Sequence, residues 1–412
     1  MTAEVRRLVG GMNLAKIAAL GACASVLVAG TTTPATAVDP PGHNRRGSVV
    51  SVTPIEHLSA PELTQYLQTT GMKPGPAKYG VDAYRVVYRT ITAQGLPTTA
   101  SGLVALPRNG SRRLDLVTFL HGTNATRNTT ASVLRTAPDR VRSLMFAGAG
   151  FAVAAPDLLG LGVGPGRHPY GDTASEVSAS ADQLIATRTL SSVLGRSLRR
   201  DVLVTGFSEG GRITLSLGRA LQRGQVPGFG LRAMAPVAGP FDLLGVELPA
   251  LVDGRVTPFI ATLYLGYFLT SWSRLIHLYD DPSEVFLPPY DKVVDSLFDG
   301  DHTVQEIAAA LPSSPEKLVR PEFLQSLAHP AGALGERLRA ADAICTDWTP
   351  RAPIHFFTGS ADHDVPPANS VSCRSKLGVP STITDVGPVD HNRSAELAYP
   401  QILAWFTAMA RR

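Results

Sequence analysis

The stretch Asp201-Val-Leu-Val-Thr-Gly-Phe-Ser-Glu-Gly-Gly211 decides the fold of this chain. Its apolar start, Val202–Val204, is typical of a strand that is buried on both faces. The continuation, Arg212–Leu221, has the leucine and isoleucine content of a packed helix. A strand that becomes a helix across Gly206–Gly210 must bend sharply, and this bend lifts the Ser208 hydroxyl clear of the sheet. By itself the G-x-S-x-G pattern also fits an ordinary glycine turn, so its meaning depends on the rest of the chain.

Length and composition limit the class of protein. The chain has 412 residues, of which 44% are hydrophobic and 17% are charged. These values suit one large globular domain with an insertion, or two domains. The formal net charge of +4 is modest, and no basic stripe interleaved with aromatic residues stands out. Nucleic-acid binding is therefore not expected.

The first 37 residues have the pattern of an export signal. Positive charges precede an alanine-rich apolar run, and Ala35-Thr-Ala37 provides small residues for cleavage. The apolar run is too short to span a bilayer comfortably. We therefore expect a secreted protein that begins at residue 38. A lipid anchor on Cys23, in a sequence that resembles a lipobox, is the competing interpretation.

Two cysteines remain after the expected cleavage, Cys345 and Cys373. An even pair in an exported protein predicts a disulfide. The two residues flank a predicted strand at Ile354–Thr358, so the bridge would join the loop before this strand to the helix after it. Two unpaired buried thiols are the alternative.

Six short strands are predicted in the first part of the chain. The first two form an antiparallel hairpin, and from residue 114 onward strands alternate with helices. This alternation predicts an α/β fold with a mostly parallel sheet and helices on both faces. Residues 38–55 are expected to be a mobile leader. The six strands are Ala83–Arg89, Gly102–Pro107, Leu114–Leu120, Phe151–Ala155, Val202–Val204 and Leu231–Val237.

The alternation stops between about residues 241 and 349, a region of predicted helices and loops that follows the sixth strand. Its segment Phe259–Trp272 is apolar nearly all round but too short to cross a membrane. It is either a buried helix or part of a lid whose aromatic side chains contact an apolar ligand. The candidate ligand-contacting side chains are those of Tyr264, Tyr267, Phe268 and Trp272. Sheet character then returns with Ile354–Thr358 and Ser381–Asp385.

A nucleophilic serine needs a base that takes its proton and an acid that orients this base. Asp362 follows the predicted strand Ile354–Thr358, and Asp364 is its nearest rival. His391 lies in the loop between the last strand and the last helix. Because the carboxyl ends of parallel strands meet at one edge of the sheet, these side chains are expected to converge on Ser208.

Two backbone N–H groups are candidates for an oxyanion hole. One belongs to Glu209, which follows the serine, and the other to Thr123, in the loop after the strand that ends at Leu120. His121 lies at this strand end beside a glycine, where a histidine more often shapes the loop than acts as a base. Asp362-His363-Asp364 contains metal-ligand types, but no metal or other cofactor is expected for this chemistry.

The motifs together resemble those of the α/β-hydrolase superfamily, and within it the secreted bacterial lipases and esterases. The matching features run from about residue 80 to the C-terminus: HGT at residue 121, PDxxGxG with HPY from residue 156, GFSEGG at residue 206, GxxDxxVP at residue 359 and the late His391. The resemblance implies a Ser208–His391–Asp362 triad and an acyl-enzyme intermediate. Glu209 departs from many relatives, which carry a neutral residue there. Its side chain is expected to point away from the oxyanion.

The sequence therefore predicts an exported hydrolase in which residues 38–412 form one domain and residues 241–349 a helical lid. Small-molecule or lipid esters with apolar acyl groups are the expected substrates, with transient contact to a lipid surface. A serine peptidase of the same fold is the main alternative, for which acidic side chains such as Asp280, Asp281 and Glu284 would recognise an amine. A non-catalytic binding protein and an acyltransferase are the others.

Overall fold

The computed structural model describes residues 45–68, 72 and 75–410. The expected export signal, its cleavage point and the lipobox cysteine Cys23 lie outside the described residues.

Within the described residues, nine strands form one mixed sheet in the order β1-β2-β3-β5-β4-β6-β7-β8-β9. In this order the pairs β1–β2, β2–β3 and β3–β5 are antiparallel, and every pair from β5–β4 to β8–β9 is parallel. The predicted hairpin and the parallel half of the sheet are confirmed. The strands are β1 Val49–Leu58, β2 Val81–Ile91, β3 Pro97–Pro107, β4 Arg113–Leu120, β5 Ala152–Pro156, β6 Ser197–Phe207, β7 Gly230–Val237, β8 His355–Thr358 and β9 Thr382–Asp385.

The strand β1 corrects the expectation of a mobile leader over residues 38–55 for its last part, residues 49–55, whereas residues 38–44 lie outside the described residues. Val49–Leu58 pairs antiparallel with β2 at the edge of the sheet, and its register shifts between Pro54 and Glu56. Its weak sequence signal has a physical reason, because an edge strand tolerates polar side chains and a proline that a central strand does not. Because β1 adds one strand to the count, the insertion follows the seventh strand and not the predicted sixth. The strand directly before the insertion is nevertheless the predicted one, β7.

Helices cover both faces of the sheet, as predicted. On one face α3 Thr173–Val193, α4 Glu209–Gln222 and α12 Ala368–Leu377 pack against inward residues such as Leu116 and Val204. On the other, α1 Ala60–Gln68, α2 Pro138–Ala149 and α13 His391–Ala410 pack against alternate residues such as Val117 and Leu203. The side chains of each strand thus divide between two cores.

The insertion between β7 and β8 is helical and has a hydrophobic cluster of its own. Its longest helix, α6, spans Pro258–Ile276 and contains the predicted segment Phe259–Trp272. No helix of the described residues is long and apolar enough to cross a membrane. The shorter elements are a π-helical turn Leu243–Glu247, α5 Leu248–Val252, α7 Val294–Leu297, α8 Val304–Ala310, α9 Pro315–Leu318, α10 Pro321–Ser326, α11 Gly332–Asp342 and 3₁₀ turns at Pro282–Glu284, Tyr290–Lys292 and Ala343–Cys345.

The predicted disulfide between Cys345 and Cys373 is present and joins the end of the insertion to helix α12. It closes a loop with a sequence separation of 28 residues. In the chain-entropy model, a loop of this size corresponds to about 3–4 kcal/mol of stabilisation. We expect the Cys345→Ala/Cys373→Ala double variant to lose a free energy of unfolding of this size in denaturant titrations. Reducing agent should lower the free energy of unfolding of the wild type by a similar amount and leave that of the double variant unchanged. An equal free energy of unfolding in the wild type and the double variant would contradict the assignment.

Candidate active site

The bend between β6 and α4 holds Ser208 in a strained conformation. Its backbone has φ 58° and ψ −122°, a region that non-glycine residues rarely occupy. Glycines make the bend sterically feasible. A Cβ on Gly206 would lie 2.2 Å from the carbonyl oxygen of Gly210, and one on Gly210 would lie 2.1 Å from that of Leu120. The chain therefore reaches this geometry only with glycine at both positions.

His391 and Asp362 form a buried pair beside this bend. Nδ1 of His391 lies 2.7 Å from Oδ2 of Asp362. The second carboxylate oxygen accepts the backbone N–H groups of Asp364 and Val365 at 3.0 and 2.9 Å, which fixes the carboxylate. The imidazole also lies against Phe207, with ring centroids 4.5 Å apart. This contact places the base next to the residue that precedes Ser208.

The opposite ring nitrogen of His391 is buried and has no hydrogen-bond partner among the described residues. Because Asp362 accepts from Nδ1–H, the tautomer that this pair favours leaves Nε2 as a free acceptor. An acceptor nitrogen of this kind can take a proton from a hydroxyl.

Asp364 lies near the pair but does not contact the imidazole through a described hydrogen bond. Its carboxyl is partly buried, and burial raises its pKa, while His391 acts in the opposite direction. The structure thus brings Asp362, rather than its rival, to His391.

A small cavity adjoins Ser208. Its volume is about 70 Å³. Its lining is mostly apolar and comes from the sheet edge, the insertion and the loop after β8. The lining residues are Thr123, Tyr170, Ser208, Glu209, Pro240, Leu243, Glu247, Leu248, Leu251, Tyr264, Leu265, Phe268, Leu338 and Val365.

Thr123 and Glu209 both border this cavity together with Ser208. Glu209 is the first residue of helix α4, so its backbone N–H has no partner within the helix and lies at the positive end of the helix dipole. The Thr123 hydroxyl lies 3.0 Å from that of Tyr170, which fixes the loop after β4. The two residues that carry the candidate oxyanion donors thus line one cavity.

The side chain of Glu209 is held in a buried polar cluster. Its Oε1 lies 3.5 Å from Nε2 of His168 and accepts the backbone N–H of Gly171 at 3.4 Å. Burial acts to raise the pKa of Glu209, but the nearby His168 imidazole, with His121 and Glu176 acting in the same direction, outweighs burial and lowers this pKa. Burial raises the pKa of Glu176, and Nη2 of Arg212 lies 3.3 Å from its Oε2. This cluster leaves the backbone N–H as the group that Glu209 offers to chemistry.

The four aromatic candidates on α6 take different positions. Tyr264 and Phe268 line the cavity with Ser208. Tyr267 instead stacks on Tyr170 with ring centroids 4.3 Å apart and donates its hydroxyl to the carbonyl of Asn124 at 3.0 Å. Trp272 donates its indole N–H to the carbonyl of Tyr170 at 3.0 Å and lines a separate groove. Tyr267 and Trp272 thus contact the loop that carries Tyr170 and do not border the cavity.

Sequence reasoning missed one acidic residue of the cavity wall, Glu247. It follows three apolar residues and a glycine in Leu243-Leu-Gly-Val-Glu247, and a carboxylate flanked by Val246 and Leu248 is the signal that could have found it. Among the described residues, no group of three or more His, Cys, Asp or Glu side chains is placed to hold a metal ion.

Several solved structures are similar to this chain. A protein from Legionella pneumophila described as a "putative hydrolase" is 25% identical, with a TM-score of 0.79 over 88% of this chain and 98% of that one. The rice cell wall degrading esterase LipA from Xanthomonas oryzae is 24% identical, with a TM-score of 0.77 over 89% and 97% of the two chains. Lipase A from Candida antarctica is 12% identical, with a TM-score of 0.61 over 85% and 78%. No family model and no curated protein matches the sequence.

Proposed function

We propose that this chain, which has the α/β-hydrolase fold, is a serine hydrolase of carboxylic esters. The observation that carries the proposal is the buried His391–Asp362 pair, which has an unpartnered Nε2 and packs against Phe207, the residue before the strained Ser208. The similarity to proteins described as an esterase and a lipase supports the same reaction class.

The reaction would proceed through an acyl-enzyme. Nε2 of His391 accepts the proton of Ser208 as Oγ attacks the ester carbonyl carbon, and the backbone N–H groups of Thr123 and Glu209 hold the oxyanion. When the tetrahedral intermediate collapses, the imidazolium returns the proton to the leaving alcohol. His391 then takes a proton from water as this water attacks the acyl carbon. When the second tetrahedral intermediate collapses, the imidazolium returns this proton to Oγ of Ser208 and the acid is released. Asp362 stabilises the imidazolium throughout.

The cavity supports apolar acyl groups as substrates. Its free volume of about 70 Å³ admits only a short chain in this conformation, far less than the several hundred Å³ typical of ligand pockets. Tyr264 and Phe268 form its wall from α6, so a longer acyl chain would have to displace this helix. We therefore propose that residues 241–349 act as a lid and that lipid-like esters need its movement.

Localisation outside the cytoplasm is part of the proposal. The disulfide between Cys345 and Cys373 is typical of proteins that fold in an oxidising compartment. The pattern of residues 1–37 agrees with export.

A chain-length series tests the proposal. Purified 38–412 should hydrolyse p-nitrophenyl acetate and butyrate, and kcat/KM should fall for the palmitate. Phe268→Ala removes an aromatic ring from the cavity wall and should raise the ratio of long-chain to short-chain kcat/KM by about tenfold.

The matched control is Phe259→Ala, on the same helix but outside the cavity lining. It should leave the ratio unchanged. Equal ratios in both variants would contradict the assignment of the acyl site. Absence of Ser208-dependent hydrolysis of every ester would contradict the function itself.

A further inference from the structure

Glu247 is a buried acid in the wall of the Ser208 cavity, and the acyl-enzyme mechanism does not use it. The residue is only 5% exposed and closes the π-helical turn Leu243–Glu247. Such turns are rare and frequently occur at functional sites.

The turn that carries Glu247 is rigidly held. Both carboxylate oxygens of Asp342 accept backbone N–H groups, from Leu243 at 2.7 Å and from Leu244 at 2.9 Å. The side chain of Asp242 accepts the N–H of Gly245 at 3.0 Å. The first three residues of the turn are thus fixed, and with them the direction in which the Glu247 side chain leaves the backbone.

Asn369 determines which oxygen of Glu247 is available. Its Oδ1 accepts the backbone N–H of Asp242 at 3.0 Å, so its amide group cannot be reversed. Its Nδ2 donates to Oε2 of Glu247 at 2.7 Å and to the carbonyl of Pro366 at 3.2 Å. Oε2 is therefore an acceptor. No described residue forms a hydrogen bond with the other oxygen, Oε1.

The surroundings favour the neutral form of this acid. Burial raises the pKa of Glu247 to about 8, the hydrogen bond from Asn369 opposes this, and the charges of Asp362 and Asp364 add to it. Arg255 acts weakly in the opposite direction. Because Oε2 already accepts a hydrogen bond, the proton of the neutral acid resides on Oε1, where it is a donor without a protein acceptor.

We propose that Glu247 is a specificity-determining residue that donates a hydrogen bond from Oε1–H to an oxygen atom of the substrate. The inference rests on the proposed esterase function and refines its substrate class. The site would favour esters that carry a second oxygen, as an ether, hydroxyl or carbonyl, within a few atoms of the cleaved bond. A purely alkyl chain would leave the buried donor unpaired, and such a loss discriminates strongly between substrates.

Isosteric ester pairs test this donor. Each pair replaces one methylene by an ether oxygen: methyl butyrate and methyl methoxyacetate, methyl valerate and methyl 3-methoxypropionate, butyl butyrate and 2-methoxyethyl butyrate. The measured quantity is the ratio of kcat/KM for the oxygen-containing ester to that for the alkyl ester. Comparing this ratio between protein variants cancels the intrinsic reactivity of the esters.

Two substitutions of Glu247 should separate donor chemistry from structural support. In Glu247→Gln the amide oxygen can accept from Asn369, which leaves the amide N–H₂ as a donor to the cavity, so the ratio should be retained. In Glu247→Leu the donor is lost, and the ratio should fall by about tenfold in at least one pair, the equivalent of one hydrogen bond.

A pH profile provides a readout that a structural role would not change. The folded-state pKa is raised, so the O–H donor is present below about pH 8 and is lost as the pH rises through this value. The charged and titratable groups around Glu247 are Asp362, Asp364, Arg255, Tyr170 and Tyr264. The ratio of the wild type should decline above about pH 8, whereas that of Glu247→Gln should not.

The outcomes distinguish this inference from the function on which it rests. Equal ratios in wild type, Glu247→Gln and Glu247→Leu, or a wild-type ratio that is constant across pH 8, would overturn the inference while ester hydrolysis stands. The inference would also be overturned if, as the pH rises, an ester with an ammonium group in place of the ether oxygen were cleaved faster than the ether. An ammonium group requires the ionised form of Glu247, whereas the proposed donor is the neutral acid. Absence of Ser208-dependent hydrolysis would overturn both.

Discussion

Ser208→Ala should lower kcat/KM for p-nitrophenyl butyrate on the order of 10⁴-fold or more. The substitution removes only the Oγ atom, and alanine has the Cβ that the bend already accommodates. The His391–Asp362 pair and the oxyanion donors stay in place, so any residual rate would come from the oxyanion donors and substrate binding.

Ser216→Ala is the matched control, because Ser216 lies on helix α4, which follows Ser208, and is buried but donates its hydroxyl to the carbonyl of Arg212 at 3.2 Å. Its kcat/KM should stay within a few-fold of the wild-type value. A Ser208→Ala variant that retains a tenth of the activity would show that another residue is the nucleophile.

Asp362→Asn should lower kcat on the order of 10³- to 10⁴-fold. The amide N–H₂ at position 362 would donate toward Nδ1 of His391 and force the ring proton onto Nε2. The nitrogen that should accept the Ser208 proton would then already carry one. Steady-state kinetics and circular dichroism together would separate this effect from loss of the fold.

The matched control is Asp364→Asn, two residues further along the same loop. The 2.7 Å contact belongs to Asp362, so Asp364→Asn should reduce kcat by less than about tenfold. If Asp364→Asn proved the more damaging substitution, the assignment of the acid would be wrong.

The sequence predicts the parallel core well for a physical reason. Strands such as β4 and β6 are buried on both faces, so their apolar runs are continuous and easily recognised. Gly206 and Gly210 are equally informative, because a Cβ at either position would lie 2.2 or 2.1 Å from a backbone carbonyl oxygen. Asp362 and His391 each follow a strand, which explains why their order in the chain suggests convergence.

Other features depend on packing that no local pattern encodes. The edge strand β1 has polar residues and Pro54, so its sequence resembles a loop. The aromatic residues of α6 are alike in sequence, yet Phe268 borders the cavity and Tyr267 stacks on Tyr170. Glu247 stands in an apolar stretch of sequence, but only the folded structure places it in the wall of the Ser208 cavity.

Covalent labelling shows directly whether Ser208 is an activated nucleophile. Folded 38–412 is treated with a fluorophosphonate probe, which reacts with activated serine hydroxyls, and the labelled peptide is identified by mass spectrometry. We expect a single labelled peptide, modified at Ser208, and loss of labelling in Ser208→Ala and in His391→Ala. Labelling at another serine, or no labelling of the folded wild-type protein, would contradict it.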